Sequence, residues 1–501
     1  MVPCRVSNLS AGRITQLHRT QATAELSVSS AEGYLELLAE HDIIVDAAVR
    51  RAQIVRAADT LAGTVGGTVD TEAEAGLIDE ITQLVEQPRP LLGSFDQRYL
   101  ELPADVLTTV MRKHQRYLPV RAAGGALLPR FVAVGNGKHD DDVVRAGNEA
   151  VLRARYEDAA FFWHADLGRP LEEMASKLTT LMFAEHLGSV ADRAERIAVL
   201  ANELAALASS GDSNAVSPAI TEADIATLRR AGELAKFDLG SQLVAELSSL
   251  AGIMAREYAL RAGETADVAT ALAEMELPRS GGGSLPTTLP GALLALADRF
   301  DLLAGLFAIG AAPTGSSDPF GMRRAALGVV SILTAHPRLA GITVSAGLRL
   351  AAARQPVAVS GAALAEAAEF VNRRLRQRLL DAGHDHACVA AIAPRSDSPA
   401  DAARMLEQLN KHRGSEEFAA VVAAMQRVRR IVPAGTPAGY DVQVLREPAE
   451  LALHEAVSKA AVQLRGDLGA ELEVFLGVAA ALSAPIETFF ADVLVMADDH
   501  Q

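Results

Sequence analysis

The hydrophobic pattern is most informative between Leu294 and Val330, LALADRFDLLAGLFAIGAAPTGSSDPFGMRRAALGVV. It predicts an apolar helix carrying two acids, Asp298 and Asp301, then a turn, then a second helix. The turn from Pro313 to Phe320 is dense in residues that fix or free the backbone. Asp318 is expected to cap the second helix, with Pro319 as its first residue. Arg323 and Arg324 follow at its start.

Elsewhere the pattern divides into four regions: 1–166, 167–336, 337–398 and 399–501. In the first, helical periodicity from Glu32 to Leu61 gives way to short strand-like runs. RYLPVRAAGGALLPRFVAVGN predicts a hairpin turning at Gly124-Gly125, with Tyr117, Val120, Leu128, Phe131, Val132 and Val134 as β-formers. The second region reads as helices. Ser189 with Asp192, and Thr221 with Asp224, approximate capping boxes in which Asp replaces the usual Glu. ALASSGDSNAVSPAI is a polar loop between them, and Arg279 to Pro286 is a flexible break. Beyond Pro337, residues 362–380, about 400–432 and 448–481 read as helical, with a loop from Val432 to Gly439. No apolar run of about 18 residues is seen, so no membrane span is expected. The first residues lack the apolar stretch of a secretory signal.

Composition narrows the class. A chain of 501 residues is too long for one core, so two to four domains are expected. Half of it is apolar and only 4% aromatic, so Ala, Leu and Val must build the core, which favours packed helices. Cys4 and Cys388 are too few and too far apart for a disulfide framework or a zinc site. The net charge of −16 argues against general affinity for nucleic acid, since phosphate binding rests on Lys and Arg. It leaves room for a local basic face. All but six of the 47 basic residues are arginine, whose planar fork suits phosphate and base edges. A GC-rich genome accounts for the same bias.

No P-loop, no GxGxxG after a strand and no CxxC pair occurs. The histidines form no Ser-His-Asp arrangement. Arg373, Arg374, Arg376 and Arg378, in NRRLRQRLL, pair by helical spacing as 374 with 378 and 373 with 376. They fit either a phosphate track or a solvated face paired with Glu369 and Asp381. The Pro313–Phe320 turn with Arg323 and Arg324 fits either a phosphate cradle or a rigid capped turn.

The wording of Leu294–Val330 closely resembles the beta subunit of bacterial tetrameric glycyl-tRNA synthetase. Similar wording recurs in order along the chain. It appears in LLGSFDQRYLELP, MRKHQRYLPV, FVAVGNG and GNEAVLRARYEDAAFFWHADL, all before residue 168. It continues through AKFDL, LAGIM and EFVNRRLRQRLLDAGHDH to APIETFFADVLVMADD at Ala484–Asp499. Against that family the chain is expected to begin well inside the usual subunit and to stop about a helix short.

The resemblance implies a mainly α, multidomain chain: a mixed α/β N-terminal region, an HD-like helical domain over 167–336, a helical linker over 337–398 and a C-terminal helical-bundle anticodon-binding domain over 399–501. It implies a tRNA-handling role in the ligation of glycine to tRNA(Gly). No cofactor is expected on this chain; ATP and Mg belong to the alpha part, with which an alpha2beta2 assembly is expected. Neither DNA nor a membrane is an expected partner, and the expected compartment is the cytoplasm. Phe237 stands where the His of an HD motif would be, beside Asp238, and Asp298 stands where the last metal-binding Asp would be. Two acids without imidazoles make a poor transition-metal site. His186 is nearby in sequence. In the last region Gln426, Arg427, Arg429 and Arg430 stand where the family usually carries a Lys-Arg pair and an Asn, so Gln426 and Arg430 are departures. Arg427 and Arg430 are the RNA-binding candidates there. Phe489, Phe490 and Met496 read as core residues. The rival reading is a helical, HD-type, metal-dependent nucleotide phosphohydrolase.

Overall fold

A computed structural model describes residues 4–18, 25–209, 220–315, 317–432, 436, 439–465 and 472–493. The polar loop 210–219, Ser316, Met496 and most of the 433–438 loop lie outside the described residues. The chain is mainly helical, with a small mixed α/β region near its N-terminus. It forms two compact units, Met1–Leu178 with Lys236–Ala269, and Thr179–Ala235 with Thr270–Gln501.

In the first unit the expected hairpin is present. Leu118–Ala122 pairs with Leu127–Asn136, and Gly125 takes the left-handed conformation (φ +83°) at the turn. The hairpin sits inside a four-stranded antiparallel sheet flanked by Gly67–Thr68 and Pro88–Ser94. One face of the sheet presents Leu118, Val120 and Val132 to Ile54, Ala58 and Ala62 of the Ala47–Gly63 helix and to Ile78 and Ile81 of the Ala75–Leu84 helix. The strand period of 2 and the helix period of 3.6 both converge on this core. Tyr117 stacks on Phe131 at 4.6 Å between ring centroids. The long Asp141–Leu167 helix buries Leu152, Tyr156, Ala159, Trp163 and Asp166 along one stripe. Asp140 opens it by accepting the N–H groups of Asp142 and Val143.

The second unit is built around the Leu289–Ala308 helix. Nearly every residue of this helix is buried, Asp301 included and Asp298 partly so, as expected of a helix apolar on all sides. The helices Val190–Ser209, Glu222–Glu233, Met322–Ala335, Val344–Ala352 and Gly361–Asp381 surround it. Gly347 lies where a Cβ would run into the Phe300 ring, so no larger residue fits that crossing. The structure adds a short hairpin absent from the sequence reading, Met182–Ala184 with Gly188–Ser189.

Two helix readings and the membrane expectation change. Residues 400–432 form two helices, Pro399–His412 and Glu416–Ile431, separated where Ser415 caps the second. Past Pro448 there are again two, Pro448–Arg465 and Leu472–Asp492. The last corrects the expectation that no segment is apolar enough to span a membrane, because by length and composition alone it is. It packs against the Glu416–Ile431 and Pro448–Arg465 helices and holds Glu473 in contact with Lys411 and His412.

Both capping boxes form. Asp192 accepts the Ser189 N–H and hydroxyl, and Asp224 accepts those of Thr221 and a 2.8 Å bond from Arg338. The Ser189 backbone bond, then its hydroxyl, holds the Asp192 carboxyl below its ordinary value. Burial works to raise that of Asp224, but Thr221 and Arg338 outweigh it and the net shift is downward. A depressed carboxylate contributes stability that is present above the unfolded value, roughly pH 4, and is lost as the pH falls through the folded one. Asp192→Asn and Asp224→Asn should therefore melt below wild type at pH 7, with the gap closing on acidification below about pH 4. A gap that stays constant from pH 7 to pH 2 would contradict this assignment.

Candidate nucleic-acid interface

Asp298 and Asp301 stand three apart on the central helix, and Arg193 and Arg196 stand three apart on the Val190–Ser209 helix. The matched spacing lets the two faces meet. Arg193 reaches the Asp298 carboxylate at 3.0 Å and Asp301 at 3.2 Å, while Arg196 donates to Asp301 at 2.6 and 3.3 Å. Gln355 donates a further bond to Asp301 at 2.9 Å, and Arg196 also donates to the Leu187 carbonyl. Asp301 is 1% exposed and each arginine 10%. Burial works to lower the Arg193 pKa, but Asp298 and then Asp301 outweigh it and the net shift is upward. Two guanidinium groups and two carboxylates leave the cluster electrically balanced inside the unit.

This donor set does not fit a divalent ion. Both acids are engaged by cations already, and Phe237 offers no donor. Phe237 and Asp238 belong to the first unit, where Phe237 is fully buried and Asp238 accepts the Gly252 N–H at 2.6 Å. Asp298 belongs to the second unit. His186 is exposed beside Glu185. Among the described residues no three His, Cys, Asp or Glu side chains converge as a metal site. The Arg193 guanidinium also lies 4.3 Å from the centroid of the Phe183 ring, which contacts Phe320 of the turn edge-on.

The turn corrects one reading. The helix begins at Met322, not at Pro319. Pro319 and Phe320 remain in a turn, and Gly321 takes φ +68°, a conformation that glycine adopts without strain. Asp318 still serves as the cap, accepting the N–H groups of Met322 at 2.8 Å and Arg323 at 2.9 Å. Those two N–H groups are thus already engaged by a carboxylate. Arg323 folds back to the Gly315 carbonyl at 2.7 Å, whereas Arg324 is exposed.

On the Gly361–Asp381 helix, Arg376 pairs with Glu369 and Arg378 donates to the Ser331 hydroxyl at 3.2 Å. Asp381 is engaged by Gln377, not by an arginine. Arg373 and Arg374 flank the Phe370 ring at 6.0 and 5.3 Å, and Arg373 keeps its exposure. On the Glu416–Ile431 helix, Arg427, Arg429 and Arg430 are all exposed. Arg427 lies over the Phe490 ring at 4.5 Å, and Phe490 meets Phe489 edge-on. Both phenylalanines are half-buried.

Arg193, Arg196 and Gln355, which no motif in the sequence singles out, decide what the two helix acids can do. Their signal was present as an Arg pair three apart on one amphipathic helix and an Asp pair three apart on another. Arg112, Lys113 and Arg116 likewise form a cluster that no sequence motif marks.

An aminoacyl-tRNA synthetase subunit is the class that the comparisons define. A family model described as "Glycyl-tRNA synthetase beta subunit" matches residues 1–394. The chain belongs to that family. It is 37% identical to the "Glycine--tRNA ligase beta subunit" of Pseudomonas aeruginosa (strain UCBPP-PA14), covering all of this chain and 72% of that protein. It is 34% identical to the Bacillus subtilis (strain 168) subunit of the same name, covering all of this chain and 71% of that protein. It is 36% identical to "Glycine--tRNA ligase, chloroplastic/mitochondrial 2" of Arabidopsis thaliana, where all of this chain spans 46% of the plant protein. Because that relative is named for organelles, family membership does not fix the cytoplasm as the compartment.

Proposed function

We propose that this chain handles tRNA(Gly) in glycine–tRNA ligation, gripping the RNA and presenting it to an alpha part that makes glycyl-adenylate. The overall reaction takes ATP, glycine and tRNA(Gly) to glycyl-tRNA, AMP and diphosphate. The observation that carries the reading is membership of the beta subunit family, matched over residues 1–394. ATP and Mg would act on the alpha part, within an alpha2beta2 assembly. This chain would contribute positioning, and positioning by remote binding energy supplies a large share of many rate enhancements. The buried acids, neutralised by Arg193 and Arg196, suit a scaffold better than a hydrolytic centre.

The RNA contacts would come from arginines that keep their outer edges in solvent: Arg324, Arg373 and Arg430, with Arg427 held by Phe490. Arg323, Arg374, Arg376 and Arg378 have nearer partners and would contribute less. The domain roles, HD-like over 167–336 and anticodon-binding over 399–501, belong to the same proposal.

The test is charging of tRNA(Gly) with labelled glycine by this chain and a family alpha subunit, together and apart. Glycyl-tRNA should form only with both present, and this chain alone should exchange no pyrophosphate into ATP. Arg430→Ala should weaken tRNA(Gly) binding and flatten its salt dependence by about one unit of slope, the amount that one arginine–phosphate pair contributes. Charging by the alpha subunit at the same rate without this chain would remove the proposal.

A further inference from the structure

The first unit holds a cleft of about 450 Å³ lined by Leu77, Glu80, Arg112, Lys113 and Arg116. Its cationic wall is one turn of π-helix, Val110–Gln115, a rare form that recurs at functional sites. Arg116 ends the turn at φ +56°, and the N–H of the next residue, Tyr117, closes onto the Met111 carbonyl at 2.9 Å. That left-handed position is one that glycine takes without strain and arginine does not. The arginine side chain is thus present at a position whose backbone disfavours it.

Each guanidinium is held along one edge by a carboxylate. Arg112 forms a fork on Glu74, with Nε 2.9 Å from both oxygens, and Glu74 is 5% exposed. Arg116 donates from Nε to Glu80 at 2.6 Å. Ion-paired arginines of this kind are fixed in orientation, and their remaining N–H groups are available to an incoming anion. Lys113 is exposed and adds a third cation, against two acids. The neighbouring Arg51–Asp79 pair is neutral. The cleft therefore keeps a net positive charge in a chain whose total is −16.

We propose that this cleft seats a phosphate group of the RNA backbone, bound by Lys113 and by the outer edges of Arg112 and Arg116. This rests on the tRNA-handling reading above and adds a contact region far in sequence from the C-terminal arginines. Phosphate suits the cleft because planar forks and an ammonium match its oxygens, and among the described residues no aromatic side chain lines the cleft to stack a base.

The test is filter binding of a tRNA(Gly) transcript to the full chain between 50 and 200 mM KCl, with thermal melts alongside. Arg116→Gly separates the roles, since glycine relieves the backbone while removing the cation. It should melt at or above wild type and bind the transcript several-fold more weakly. Lys113→Gln with Arg116→Gly should bind about tenfold more weakly or worse, with a salt slope flatter by roughly one to two units. Wild-type affinity and slope in the double variant overturn the seat while leaving the proposed function standing. No binding of the transcript by the wild-type chain overturns both. Inorganic phosphate is the second probe. If it raises the melting temperature of wild type but not of the double variant, while transcript binding is unchanged, the cleft takes a small anion and the RNA assignment is overturned.

Discussion

Asp301→Ala should destabilise the helical unit by about 3–5 kcal/mol, the range seen when one partner is removed from a buried ion pair. The carboxylate is 1% exposed and receives two guanidinium groups and the Gln355 amide. Its loss leaves Arg196 buried without its ion-pair partner and Arg193 with Asp298 as its remaining close carboxylate. The pair's net value is much smaller than that cost, because burying four charged groups is itself expensive. Asp301→Leu combined with Arg196→Met should therefore recover part of the stability that Asp301→Ala loses. Denaturant melts give the size of the effect. Hydrogen exchange should place it in the helices from Val190 to Ser209 and Leu289 to Ala308. Unchanged melts and unchanged exchange in Asp301→Ala would mean that the arginines find other partners, and the account of the cluster would fail.

Asp166→Ala should have the second largest effect, in the other unit. Asp166 is fully buried at the end of the Asp141–Leu167 helix. It accepts the N–H groups of Gln242 at 2.9 Å and Leu243 at 3.0 Å, and the Tyr258 hydroxyl at 2.9 Å. It thus caps the short Gln242–Glu246 helix from a distance of some 76 residues along the chain. Burial, then the Asp166 charge, pushes the Tyr258 phenol pKa far up, so the phenol stays a donor at any ordinary pH. Alanine leaves three buried donors unsatisfied, at a cost of about 3 kcal/mol or more. Asp166→Asn keeps one acceptor oxygen and should lose roughly half as much. Equal stability of the alanine and asparagine variants would show that these bonds do not carry the effect.

Local chemistry was legible from the chain alone wherever a short-range rule governs it. The hairpin at Gly124-Gly125, the two Asp-based capping boxes and the buried central helix follow from turn residues, side-chain-to-backbone bonds within four residues, and hydrophobic period. Family wording carried the function further than any of these, since no composition or spacing points to glycine. The misses have separate causes. Pro319 was placed at the helix start because proline suits that position locally, yet Asp318 and Gly321 shift the start to Met322. The break near Ser415 is set by a local cap, the Ser415 hydroxyl accepting the Phe418 N–H, and the short hairpin at Met182–Ser189 is too brief for a periodicity window to register.

By itself, then, the sequence determined the helical class, the family and which residues can carry charge. Only the tertiary structure decided what those charges do. Asp298 reads as a degenerate metal position and Asp301 as a second acid on an apolar helix, and what neutralises them is unstated until Arg193, Arg196 and Gln355 are brought to them across more than fifty residues of chain. Arg112 and Arg116 carry no signal of their own in the sequence; a π-turn and two glutamates, one at the start of a neighbouring helix and one within it, fix their orientation. Charge is a property of one residue and is written in the chain. Coulomb energy depends on separation and burial, which are set by contacts between residues distant in sequence.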